Sequence, residues 1–187
     1  KDKEKSVPVK PITFWLENTT PIELRAIIKN AVLAWNIAFE EAGFIDAIEV
    51  KIQPDDADWS AGDIRYNVLR WTSSPNPPFG GYGPSFTNPR TGEILGADIM
   101  LEWIYLTNRV RYSEIFENQE IRENDFCHNS LIKQENRIFG KLATEALNLS
   151  ENEISRLYEE DLYQLVLHEV GHTLGLNHNF AASTLHD

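Results

Sequence analysis

The segment LHEVGHTLGLNHNF, residues 167–180, contains the side chains of this sequence that best indicate a function. It contains three of the chain's five histidines, His168, His172 and His178. On a helix, residues four apart differ by about 40° around the axis and about 6 Å along it, so His168 and His172 project from one face. Gly175 stands where the chain must leave the helix, because glycine accepts the left-handed backbone angles that would let His178 turn back. The spacing predicts three imidazole ligands for one ion, the ligand set of a catalytic zinc site.

Glu169 follows the first of these histidines and lies about 100° further around the same helix. Its carboxylate therefore cannot easily share the coordination of the histidine pair, but it can reach a water held by the ion. We expect Glu169 to be the general base of peptide-bond hydrolysis by a metal-activated water. A bare H-E-x-x-H arises by chance in apolar helices, and the glycine and third histidine at fixed offsets make the zinc interpretation much more specific.

The other metal-ligating side chains have simpler interpretations. We expect His128 and His186 to be exposed to solvent rather than metal ligands. We expect no functional role for Cys127, because no basic or metal-ligand pattern surrounds it. The acidic run at residues 54–58 favours a solvated turn over a calcium site, since it lacks the regular ligand spacing of a calcium loop.

Length and composition bound the class of protein. The 187 residues fit one domain, which usually takes about 100–200 residues. With 17 basic and 29 acidic side chains the net charge is −12, which opposes binding to phosphates, so nucleic acid is not an expected partner. A single cysteine excludes an internal disulfide. No stretch approaches the roughly 18 consecutive apolar residues of a membrane helix, so we expect no membrane span.

The chain divides into a charged lead or linker at residues 1–11 and one domain at residues 12–187. The pattern predicts a long core helix at residues 21–42, with Thr20 and Glu23 as a capping box and Gly43 as its end. Apolar and β-branched runs predict strands at Ile12–Leu16 and Ile48–Ile52, an extended segment at 63–71 and a hairpin of 84–87 with 94–101. This order favours an α+β fold, a mixed sheet with the long helix on one face.

The second half of the chain has weaker signals until the motif. Short helices are predicted around residues 113–120 and 136–147. Ser150 and Glu153 form another capping box, which begins the helix that carries the histidines.

HEVGHTLGLNH resembles the extended zinc motif of the metzincin metallopeptidases. Together with LAWNIAFEEAGF, DIRYNVLRW and NPRTGEILGADI, it resembles the catalytic domain of large exported bacterial zinc-dependent metalloproteases of the Bacteroidetes type. The likeness spans about residues 12–99 and 162–183. It implies a zincin-like fold, a twisted mixed sheet above an active-site helix, with His168, His172 and His178 as zinc ligands and Glu169 as the base.

The resemblance also implies that a protein or peptide substrate binds as an added strand along an antiparallel edge strand above the zinc. By position that edge is formed here by Tyr82, Gly83, Pro84, Ser85 and Phe86. The alternative, that GGYGP only closes a hairpin, is equally compatible with the sequence.

One feature departs from the metzincin pattern. Metzincins place a methionine turn beneath the zinc, well after the third histidine, and the chain's single methionine is Met100, upstream of the motif. We therefore expect a domain that is cut before this turn and belongs to a larger polypeptide. The resemblance to exported bacterial proteases further implies export to the periplasm, the cell surface or the medium. The alternative function is a non-catalytic zinc-binding or protein-interaction domain that retains the protease fold.

Overall fold

The sheet is described in a computed structural model that covers residues 5–74, 80–102 and 151–178. The strands are β1 (Ile12–Leu16), β2 (Ile48–Ile52), β3 (Asn67–Thr72), β4 (Gly81–Tyr82), β5 (Ser85–Thr87) and β6 (Ile94–Glu102). Across the described residues the sheet order is β2-β1-β3-β6-β4, with β5 also pairing β6. Neighbours from β2 to β6 are parallel, whereas β4 and β5 run antiparallel to β6. The predicted mixed sheet is therefore confirmed.

Three described helices, α1 (Ile22–Leu33), α2 (Trp35–Glu41) and α3 (Glu151–Thr173), accompany the sheet. Helix α1 packs on β1, β2 and α3, and α3 also reaches β6 and β4. Burial of their facing apolar side chains is the main stabilising term for this arrangement. The largest fully buried members of this core are Phe14, Leu16, Ile28, Val32, Leu69, Ile99, Leu101, Leu162, Val166 and Val170.

The strand predictions differ in their outcome. The bounds of β1 and β2 are as predicted, and the predicted hairpin is confirmed by the antiparallel pairing of β5 with β6. The extended segment expected from residue 63 is wrong over its first four residues, since β3 begins only at Asn67. Asp63 starts a turn instead: its carbonyl accepts from the Tyr66 amide, and its carboxylate binds the Arg65 guanidinium.

The predicted capping box of the first helix is also wrong. Helix α1 begins after Pro21 without a side-chain capping hydrogen bond. Thr20 is buried in the preceding turn, where its amide donates to Glu17 and its carbonyl accepts from the Arg25 side chain. The expected single helix is divided at Ala34, which separates α1 from α2.

The glycine end of this helical region is confirmed. Gly43 has a φ of 95°, its amide donates to the Glu40 carbonyl, and the Phe44 amide donates to the Phe39 carbonyl. These two bonds form a Schellman motif, which needs the left-handed angles that glycine adopts without strain. Ser6, in the predicted lead, forms a bridge with Phe44, and the boundary at residue 11 stays a prediction.

Several sequence predictions lie outside the described residues: the helices at 113–120 and 136–147, the Ser150 cap, and the settings of Cys127, His128 and His186. Within the described residues, no helix has both the length and the apolar character that crossing a bilayer requires.

Glu102 joins the ends of three strands at one edge of the core. Its carboxylate accepts hydrogen bonds from the Thr72 hydroxyl and from both the amide and the hydroxyl of Ser74, at 2.6 to 2.9 Å. Its own amide donates to the carbonyl of Gly80, just before β4. Burial alone would raise the pKa of Glu102, but these donors outweigh it and hold the pKa below its ordinary value. The charged carboxylate therefore ties the end of β6 to the end of β3, while the backbone amide of Glu102 binds the residue that precedes β4.

We predict that Glu102→Gln destabilises the protein at pH 7 by about 1–3 kcal/mol, because an amide group cannot accept from all three donors. A lowered folded pKa stabilises the folded state above the unfolded pKa, and this stabilisation disappears as pH falls through the folded value. The difference from the parent in urea unfolding should therefore shrink below about pH 4. The control is Glu93→Gln, a change at an exposed glutamate. An equal urea midpoint for the Glu102 variant and the parent at pH 7 would contradict this role.

Candidate metal centre

The buried face of α3 contains one acidic residue. Six buried side chains recur with helical spacing along this face: one is the acidic Glu169, four are apolar, and the sixth is Thr173. The Thr173 hydroxyl donates to the Val170 carbonyl. Glu169 is only 3% exposed. Glu169 is thus the charged member of a stripe whose other members are apolar apart from Thr173. The six residues are Leu162, Leu165, Val166, Glu169, Val170 and Thr173.

The three histidines of the motif converge on one point. The Nε2 atoms of His168, His172 and His178 are 3.1 Å from one another in all three pairs. His168 and His172 are half-buried on adjacent turns of α3, and His178 approaches from the exposed segment that follows. Three nitrogen atoms at this separation could together hold one metal ion.

Gly175 brings the third histidine back, as its place in the sequence predicts. It has a φ of 96°, its amide donates to the His172 carbonyl, and the Leu176 amide donates to the Gly171 carbonyl. This is a second Schellman motif, and it ends α3 directly after the histidine pair. The chain reverses there, so His178 faces the turn of helix that precedes it.

The same reversal sets the protonation of His172. Its Nδ1 lies 2.8 Å from the Leu176 carbonyl oxygen. A carbonyl can only accept, so in the neutral ring Nδ1 carries the proton, and this tautomer leaves on Nε2 the lone pair that a metal needs. Burial, and after it the nearby His172, lower the pKa of His178 below its ordinary value, which favours the neutral ligand form.

The edge of the sheet meets α3 at Glu169. A Cβ atom on Gly81 would lie 3.0 Å from Cγ and 3.2 Å from Oε1 of Glu169. A Cβ atom on Gly83 would lie 2.5 Å from the Glu169 carbonyl oxygen, closer than any real contact. The two glycines therefore allow β4 and the residue after it to cover Glu169. Gly83 was predicted for its place in the strand, whereas Gly81 was not; the G-x-G spacing, which puts both on one strand face, is the pattern that indicates it.

Strand pairing shows which way the predicted substrate-binding residues point. Tyr82 is opposite Met100 and Phe86 is opposite Gly96, and opposed residues in an antiparallel pair lie on the same face. The core side of β6 is formed by the alternate residues, including Ala97 and Leu101, which oppose Ser85 and Gly81. Tyr82 and Phe86 thus point away from α3.

Pro84 contributes its backbone carbonyl to the pairing with β6, by accepting from the Asp98 amide. Met100 lies in the middle of β6 and is therefore not a residue beneath the histidines. Recognition of substrate by Tyr82, Gly83, Pro84, Ser85 and Phe86 stays a prediction.

The mixed sheet, and the three histidines on α3 and in the segment that follows it, are consistent with a zincin-like fold. Residues 150–187 match a family model described as Met-zincin, which confirms the predicted resemblance to the metzincin metallopeptidases. The match spans the motif helix and not the sheet. Comparisons with curated proteins and with solved structures give no match. The finer likeness to exported proteases of the Bacteroidetes type stays a prediction.

We predict that Gly83→Ala destabilises the protein by about 1–3 kcal/mol in urea unfolding. The new methyl group would meet the backbone carbonyl of Glu169, which no rotamer change can move. The control is Thr87→Ala, at an exposed position of the same sheet edge, for which less than about 1 kcal/mol is expected. An unchanged urea midpoint for Gly83→Ala would show that the edge strand is not held against the helix in this way.

Proposed function

We propose that this chain is a zinc-dependent endopeptidase domain that hydrolyses peptide bonds with a metal-activated water and Glu169 as general base. The proposal rests on one observation: the Nε2 atoms of His168, His172 and His178 lie 3.1 Å from one another. They meet at the end of α3, the helix whose buried face also holds Glu169. The Met-zincin match over residues 150–187 supports the same class of enzyme.

The donor set fits zinc. Zinc binds imidazole nitrogen at about 2.0–2.1 Å in a tetrahedral arrangement, so neighbouring ligand atoms lie about 3.3 Å apart, close to the separation of the three Nε2 atoms. Among the described residues, the group able to bind one metal is His168, His172 and His178. Three protein ligands are typical of catalytic zinc, whereas structural zinc is held by four. When bound, zinc supplies a Lewis acid that acidifies a water and polarises the substrate carbonyl.

Glu169 moves the proton in this reaction. Its carboxylate accepts a proton from the attacking water and returns it to the nitrogen of the leaving amine. Burial by Gly81 and Gly83 keeps bulk water from the carboxylate, and a low local dielectric strengthens its interaction with charge that develops nearby. A buried carboxylate with this neighbourhood favours an enzyme over a domain that only stores or displays a metal.

The edge strand supplies the binding surface for substrate in this proposal. β4 and β5 form the outer, antiparallel edge of the sheet, and Gly81 and Gly83 place it directly against Glu169. An extended peptide that pairs with this edge would run past the proposed base. Because Tyr82 and Phe86 point to the opposite face, recognition at these positions depends on backbone hydrogen bonds rather than on their side chains.

We expect the purified chain to hold about one zinc ion per molecule, and His172→Ala to abolish this binding, because the histidine supplies one of only three protein ligands. Zinc content after gentle purification, measured by atomic emission, checks this. The matched control is Asn177→Ala, an exposed change between Gly175 and His178, which should keep the full content. Zinc absent from the parent chain, or retained by His172→Ala, would contradict the assigned ligands.

We expect Glu169→Gln to keep its zinc and to lose peptidase activity by about 100-fold or more, because the amide has the same shape but cannot take a proton. Cleavage of a fluorescently labelled, unfolded casein measures the activity, with zinc content determined on the same samples. Equal cleavage by parent and variant would contradict the role of Glu169. A parent chain that binds zinc but cleaves nothing would instead favour the non-catalytic zinc-binding domain.

A further inference from the structure

Trp35, the first residue of α2, contacts the back of the motif helix between two of the proposed ligands. Its indole nitrogen donates to the carbonyl oxygen of Leu167 at 3.0 Å. Leu167 immediately precedes His168. A tryptophan packed against a core usually satisfies its N–H on some acceptor, and for the half-buried Trp35 that acceptor belongs to the turn that presents the first histidine.

The indole ring also takes the space that a side chain at position 171 would need. A Cβ atom on Gly171 would lie 2.8 Å from Cζ2 and 3.3 Å from Cη2 of Trp35. Gly171 directly precedes His172, so the hydrogen bond and the ring contact lie on either side of the turn that carries both histidines. Glycine in the interior of a helix costs stability relative to alanine, and this close approach gives it a physical reason.

The neighbouring residue ties this contact to the sheet. The Asn36 side-chain amide donates to the carbonyl of Ile48 at 2.9 Å and accepts from the Ile48 amide at 2.8 Å. Ile48 is the first residue of β2. The start of α2 is thus bound to the sheet through Asn36 and to α3 through Trp35. These two neighbouring residues connect β2 to the turn of α3 that carries the histidines.

We propose that Trp35 is a positioning residue for the zinc site: it sets the rotation and axial position of the α3 turn that holds His168 and His172 relative to His178. The inference rests on the proposed function, because it concerns the same three ligands. His178 lies beyond the reversal at Gly175, so its nitrogen meets the other two only if that turn is held in place. A metal site needs its ligand atoms held within about 0.5 Å, a tolerance that a small helix rotation exceeds.

The contact also has a purely structural interpretation, since Trp35 packs against the hydrophobic core. The two interpretations predict different results. If Trp35 only fills space, its replacement lowers the stability of the metal-free protein and leaves the affinity and geometry of the site in folded molecules unchanged. If it positions the helix, both the affinity and the ligand geometry change in molecules that remain folded.

The test compares the 187-residue parent chain with Trp35→Phe, Gly171→Ala and the double variant. Zinc affinity is measured by competition with a chelator, the visible spectrum of the Co²⁺-loaded protein reports ligand geometry, and circular dichroism confirms that each metal-free protein is folded. We expect each single variant to bind zinc about 10-fold to 100-fold more weakly and to show an altered Co²⁺ spectrum. The control is Trp15→Phe, at a half-buried tryptophan packed edge-on against Trp59 and Tyr66, which should keep the parent affinity and spectrum.

The double variant makes the test specific to this contact. Phenylalanine lacks the outer ring whose Cζ2 and Cη2 atoms would meet an alanine at position 171. Adding Gly171→Ala to Trp35→Phe should therefore weaken zinc binding much less than it does in the parent. If Trp35→Phe does not fold, Gly171→Ala carries the test on its own, because alanine favours a helix more than glycine does.

The positioning role would be overturned if both single variants kept the zinc affinity and the Co²⁺ spectrum of the parent. It would also be overturned if the fold-losses of zinc affinity in the two single variants multiplied in the double variant. Either result would leave the zinc site itself intact. A parent chain that binds no zinc would overturn both this inference and the proposed function.

Discussion

The candidate metal centre depends on one constraint, the convergence of three imidazole nitrogens on a single point. A regular helix can present His168 and His172 on adjacent turns, but it would carry a residue at position 178 away from them along its axis. The reversal at Gly175 removes this difficulty, and its two capping hydrogen bonds end the helix in a defined direction. The Nδ1 of His172 takes part in the same reversal through the Leu176 carbonyl. Helix termination and ligand orientation are therefore one local structure.

The sheet adds what the motif helix cannot supply alone. Its antiparallel edge approaches Glu169 so closely that a Cβ atom at Gly83 would meet the Glu169 backbone and one at Gly81 would crowd the Glu169 side chain. This close approach buries Glu169 between the helix and the edge of the sheet. The backbone amide of Glu102 binds Gly80 just before the edge strand, and Trp35 contacts the opposite side of the helix turn. The site is thus held from two sides by elements distant in the sequence.

Much of this could be predicted from local patterns because local geometry determines it. The spacing of the histidines fixes their relation on a helix, glycine marks both helix ends, and the alternating runs define β1 and β2. The predicted capping box at Thr20 is wrong because the Thr20 backbone binds Glu17 and Arg25 in the turn before the helix. The predicted strand from residue 63 is wrong because Asp63 binds Arg65 in a turn. The contact of Trp35 with Leu167 joins residues 132 apart, and no periodicity could predict it. The direction of Tyr82 likewise followed only from its pairing with Met100.

Anomalous diffraction at the zinc absorption edge, from crystals of the zinc-loaded chain, tests the central claim most directly because it locates the ion without reference to activity. A zinc site formed by the three histidines predicts one strong peak at about 2.0–2.1 Å from the Nε2 atoms of His168, His172 and His178. A peak bound by other residues, or the absence of a peak at the three histidines in a loaded crystal, would contradict it.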